Sequence, residues 1–170
     1  MRRGPWLRRA AAVGLAGLPG LVAACGGGGG EETWISPIPF DTARVTVVSG
    51  TDSFPLLVEV AESDAERQFG LSRRPSLDPG SGMLFVFDSL RAPEEGFWMW
   101  RTRVPLDIAF LDAAGVIGSI VAMEPCADAL YAEACPEYAA GVPYLQALEV
   151  NQGWFAEHGV EVGDRVIPEP

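Results

Sequence analysis

Lysine is absent from this chain, histidine occurs once and cysteine three times, against twenty-three Asp and Glu. Each scarcity removes a class of function. A nucleic-acid surface needs clustered cations against the phosphates, and a lysine-free chain of net charge −11 does not supply them. A Ser-His-Asp arrangement would have to run through His158, which stands beside a helix-ending Gly159 with no motif partner. A zinc site wants four thiolate or imidazole ligands, and beside Cys126 and Cys135 the body of the chain offers only His158. Met83, Met99 and Met123 sit in apolar runs, where the thioether serves as core rather than as a copper ligand. No metal and no cofactor is expected. No apolar run reaches the roughly twenty residues that a membrane-spanning helix requires.

What is present begins with an address. Residues 1–9 carry four Arg and no acid, and residues 10–24 are small and apolar up to Cys25. That is the layout of a cleaved export signal. Leu21-Val22-Ala23-Ala24 ahead of the cysteine resembles the lipobox of a bacterial lipoprotein, so residues 1–24 are expected to be a signal peptide and Cys25 the lipidated residue. An ordinary secretory signal cut near Ala24, leaving a free thiol, is the alternative. Cleavage would remove four of the twelve basic residues and none of the acids, shifting the net charge from −11 to −15. Five glycines, residues 26–30, have no side chains to bury and read as a tether, so residues 25–43 form a lipidated lead-in. The expected location is the cell envelope, on its periplasmic or extracellular face, with the membrane as a partner through Cys25. In an exported protein Cys126 and Cys135, flanking a short loop, are expected to pair.

Residues 44–170 read as one β-rich domain, expected to be monomeric. Residues 44–48 and 54–60 are β-branched runs around a Ser-Gly-Thr-Asp turn, a hairpin. Ser63-Asp64-Ala65-Glu66 is a capping box that starts a short helix at Asp64. Residues 83–87 are too continuously apolar for a strand with one wet face and predict a central strand. Residues 108–111 and 116–121 form a second hairpin about an Asp-Ala-Ala-Gly turn, and residues 144–150 a further strand. Asn151 is expected to cap a short helix holding Trp154 and Phe155, and residues 160–167 close the domain. The fold class is mainly β with short helices, α+β, as a compact antiparallel barrel or sandwich.

The densest stretch is Phe97-Trp98-Met99-Trp100-Arg101-Thr102-Arg103-Val104-Pro105-Leu106-Asp107. Pro105 cannot donate to a ladder and marks a break in it. With Gly70-Leu71 and Arg74, the run Gly82-Met83-Leu84-Phe85-Val86-Phe87, and Ala147-Leu148-Glu149, this string resembles the bacterial and archaeal family called domain of unknown function 192, from about Arg44 to Ile167. The resemblance implies a compact β-rich domain and names no reaction. In that family a basic residue and an Asn stand where this chain has Trp100 and Arg101, so a guanidinium replaces a small amide.

Candidate site residues follow from chemistry. Trp98 and Trp100, two apart on a strand, would share a side and form an aromatic platform. Arg74, Arg101, Thr102 and Asp107 would complete a ligand cleft, with Asp107 between apolar neighbours and therefore in need of a partner. Asp107 and Glu149 are candidate catalytic carboxylates if the sheet brings them together, as a glycosidase would require. Three functions are consistent with these residues. The first is an envelope module binding a carbohydrate, another ligand or a protein partner. The others are a carbohydrate-active hydrolase and an assembly module without a ligand.

Overall fold

The computed structural model describes residues 34–169; the expected signal peptide, Cys25 and the glycine tether lie outside the described residues. The elements in chain order are β1 (Asp41–Ser49), β2 (Asp52–Ala61), α1 (Asp64–Phe69), β3 (Ser81–Arg91), β4 (Gly96–Trp98), β5 (Leu106–Leu111), β6 (Ile117–Met123), β7 (Glu137–Ala139), β8 (Tyr144–Asn151), α2 (Trp154–Glu157) and β9 (Arg165–Pro168). Seven strands form one sheet in the order β6-β5-β8-β3-β2-β1-β9, and β4 and β7 form a separate ribbon.

The sheet curls until its edges meet at one end. Val116, just before β6, bridges to Arg165 of β9. The Ile117 N–H donates to the Asp164 carbonyl at 2.8 Å and the Val166 N–H to the Gly115 carbonyl at 2.9 Å. Such closure removes exposed edge groups that would otherwise template aggregation. The result is a half-barrel, mainly β, as the residue pattern predicts.

Alternation along the strands sends side chains to two cores. Val45, Val47, Leu56, Val58, Leu148 and Val150 fill one face, where α2 contributes Trp154 and Phe155. Met83, Phe85, Ile108, Phe110 and Ala147 face the other way, into a second cluster with Leu71, Met99 and Tyr144. Strands buried on both faces read as unbroken apolar runs, and all six residues of β5 are buried.

The capping box forms as the sequence predicts. The Glu66 N–H donates to Ser63 Oγ at 3.3 Å, and the Ser63 N–H donates to Glu66 Oε2 at 2.7 Å. Helix α1 belongs to a crossover, because β3 lies parallel to β2, from Leu57 opposite Ser81 to Ala61 opposite Phe85. This is one parallel pairing in an otherwise antiparallel sheet. Cys126 and Cys135 are disulfide-bonded.

The expected cap at Asn151 is not formed. Asn151 still pairs with Leu106 at the end of β8, and its side chain donates to the Leu77 and Asp78 carbonyls at 3.0 and 3.3 Å. Helix α2 starts after Gly153 instead, at φ 89°, with no side-chain cap.

Candidate functional site

A cavity of about 300 Å³ opens on the face of the sheet that carries the second cluster. Its lining includes Phe85 of β3 and Tyr144 and Glu149 of β8; α1 with the segment Gly70-Leu71-Ser72 contributes further lining, as do Gly96, Phe97 and Trp98 of β4. The β4–β7 ribbon is a close fit: a Cβ at Gly96 would lie 2.1 Å from the Tyr138 carbonyl oxygen, so no larger residue stands there without moving the backbone. Trp98 is 47 % exposed, while its neighbour Met99 is buried in the second core.

Glu149 is the unusual group. It sits in the middle of the sheet, with Met83 and Ile108 as its cross-strand neighbours. It is only 4 % exposed, and its carboxyl accepts no hydrogen bond and forms no ion pair among the described residues. Burial among apolar side chains pushes its pKa from the usual 4.5 to about 8. At neutral pH the cavity therefore holds a protonated carboxyl, able to donate and to accept.

The cations around the cavity are already committed. Arg67 of α1 pairs with Asp64 Oδ1 at 2.5 Å and donates to the Val86 carbonyl at 2.8 Å and to the Glu62 carbonyl. Arg91 at the end of β3 pairs with Glu95 through Nη2, while its buried Nε has no hydrogen-bond partner among the described residues. Both guanidinium groups lie over the Phe87 ring, 5.1 and 5.3 Å from its centre. Burial raises the Tyr144 pKa, opposed by the nearby Arg91.

Of the residues singled out in the sequence, Trp98, Thr102 and Glu149 line this cavity. The others go elsewhere, each for a structural reason. Strand β4 ends at Trp98, and the Thr102 N–H donates to the Met99 carbonyl at 2.9 Å, a turn that destroys the two-residue alternation. Trp100 consequently faces the disulfide loop, donating from Nε1 to the Ala129 carbonyl at 3.0 Å, so no Trp98–Trp100 platform forms. Arg101 stacks on Trp100 at 4.1 Å. Arg74 pairs with Glu59 and lies over Trp34 at 4.8 Å, away from the cavity lining.

Asp107 and Glu149 do not meet. Strand register sets Ile108 opposite Glu149 and Asp107 opposite Val150, which puts the two carboxyl groups on opposite faces of the sheet. Asp107 accepts the Gly153 N–H at 2.8 Å and so holds the start of α2. Burial raises its pKa, and that hydrogen bond opposes the rise. The two-carboxylate geometry of a glycosidase is absent from this pair.

Sequence reasoning missed Arg67, Phe87, Arg91 and Tyr144. The signal for the two arginines was Asp64 three residues before one and Glu95 four residues after the other, spacings that also describe solvent-exposed ion pairs.

Residues 45–167 match the model of the family DUF192, "Uncharacterized ACR". A solved structure from Sinorhizobium meliloti, provisionally called a transcription regulator, is similar with TM-score 0.69 and 29% identity; the match covers 78% of this chain and 98% of that one. A protein of unknown function from Novosphingobium aromaticivorans is similar with TM-score 0.63 and 30% identity, covering 78% of this chain and 90% of its own. Among curated proteins none matches.

Proposed function

This chain belongs to the domain of unknown function 192 family, and from that premise we propose that it is a cell-envelope binding module whose ligand occupies the cavity lined by Glu149. One observation carries the reading: a 4 %-exposed carboxyl without a protein partner lines a cavity of about 300 Å³. Burying such a group unpaired costs stability, and convergent polar groups in an aromatic-walled pocket are what small-ligand sites provide. Half-exposed Trp98 at the same cavity argues against a purely structural role for the Phe97–Asp107 stretch. A transcriptional role, as the Sinorhizobium relative's provisional name has it, finds no support in this acidic, lysine-free chain.

The test is a thermal-shift screen of the full chain in detergent against small amines, acids, sugars and peptides. A ligand is expected to raise the wild-type midpoint and to lose most of its effect with Trp98→Ala. The control is Asp107→Ala, on the opposite face, which is expected to lower the midpoint yet keep the ligand-induced rise. Hits that survive Trp98→Ala but not Asp107→Ala would place the site elsewhere.

The envelope location rests on residues 1–25, with the disulfide as support, since such bonds persist in oxidising compartments. Cys25→Ser is expected to move the protein from the membrane to the soluble fraction. An unchanged membrane fraction would refute the lipid anchor.

A further inference from the structure

We propose that the cavity takes a small organic cation, an amine or amidinium carried on a flat or apolar body; this rests on the ligand-site reading above. The charges facing the cavity decide the sign. From α1 come Asp64 and Arg67, paired with each other; from β3 and the following loop come Arg91 and Glu95, likewise paired. From β7 comes Glu137 and from β8 Glu149, neither in an ion pair among the described residues, and the remaining titratable group, Tyr144, is a neutral phenol. Two carboxyl groups are thus left with no cation, one at the exposed β7 and one deep in the cavity.

The aromatic lining points the same way. Ring faces carry negative potential and attract cations. Phe87 already draws the guanidinium groups of Arg67 and Arg91 to within 5.1 and 5.3 Å of its centre. Trp98 and Phe97 offer further rings on the same cavity. An anion would instead meet Glu149, with Arg67 paired to Asp64 and Arg91 to Glu95, and only the buried Arg91 Nε left without a partner to receive it. A volume of about 300 Å³ suits a ligand of about one ring.

The exchange is balanced by a proton. Without ligand, burial keeps Glu149 protonated, with a pKa of about 8. An arriving cation supplies the missing partner, the carboxyl ionises, and one proton leaves to solvent. Affinity therefore rises with pH.

The test is isothermal titration calorimetry of the full chain in detergent with benzamidine, its neutral counterpart benzamide, and benzoate. Benzamidine is expected to bind with release of close to one proton at about pH 7, read from the dependence of the heat on buffer ionisation. Its affinity is expected to rise roughly 25-fold between about pH 6.5 and pH 8.5, following the ionised fraction of a carboxyl with a pKa of about 8. Glu149→Gln, checked for folding by circular dichroism, should abolish the proton release and the pH dependence. If that variant does not fold, proton release by the wild type decides, and Glu137→Gln should weaken binding by a smaller factor. Benzamide or benzoate binding as tightly as benzamidine would overturn the cation while leaving a ligand site. Silence from all three with hits elsewhere in the thermal-shift screen would do the same, whereas silence in both would remove the ligand site as well.

Discussion

Glu149 imposes a pH dependence on folding whose sign follows from burial alone. Its carboxyl titrates at about 8 in the folded protein instead of at the usual 4.5, so between these values the native state holds a proton that the unfolded chain has released. Stability then falls with rising pH by about 1.4 kcal/mol per unit and levels off above pH 8. Below 4.5 both states are protonated and nothing is lost. Unfolding midpoints taken from about pH 5 to pH 9 should diverge, with Glu149→Gln gaining on the wild type until about pH 8. Parallel curves for the two proteins would show that the folded carboxyl is not held neutral. At this scale the sequence was half legible. Glu149 stood out as a carboxylate in an apolar strand, but only strand register reveals which residues share its face. Arg101 tells a related story. Its φ of 61° is left-handed, a conformation that Asn, the residue the family resemblance leads one to expect there, tolerates better than most. Here the stacking of Arg101 on Trp100, at 4.1 Å, offsets part of that backbone cost.

Among the elements, those specified by local chemistry were readable and those specified by pairing were not. The capping box at Ser63, the β1–β2 hairpin and the doubly buried β3 and β5 each follow from residues within one short window. Asp107 and Asn151 lie at junctions where a distant element claims the side chain, Gly153 in one case and the Leu77–Asp78 carbonyls in the other. Strand β4 shows the limit clearly. Phe97-Trp98-Met99-Trp100 looks like a strand throughout, yet β7 offers partners only as far as Glu137 opposite Trp98. Beyond that point the chain belongs to the disulfide loop. The Arg101 N–H donates to the Cys126 carbonyl at 3.0 Å and the Cys126 N–H to the Thr102 carbonyl at 3.2 Å. The disulfide thereby braces the segment that carries Trp98 and Thr102 to the cavity, a link between disulfide and site that spacing alone does not disclose.

For the whole molecule, the step from a twisted sheet to a half-barrel depends on Gly115. No strand pattern announces it, because closure joins the turn before β6 to the last strand, some fifty residues later. Gly115 adopts φ +74°, and a Cβ there would lie 2.2 Å from the Val166 carbonyl oxygen, a backbone atom with no freedom to yield. Gly141 provides the comparison, since its φ is +71° but a Cβ would meet nothing within 4 Å. Alanine at Gly141 should therefore cost only the left-handed penalty, about 1 kcal/mol. Alanine at Gly115 pays that and must also push β9 away, sacrificing the bond from the Val166 N–H to the Gly115 carbonyl, so a loss of about 3 kcal/mol is expected. Denaturant unfolding of the two variants measures the difference, and amide exchange at Ile117 and Val166 locates it. Equal losses, with exchange at those amides unchanged, would mean that the meeting of the edges adds nothing to stability. Faster exchange confined to them would show the half-barrel opening at its seam while the rest of the sheet stays closed.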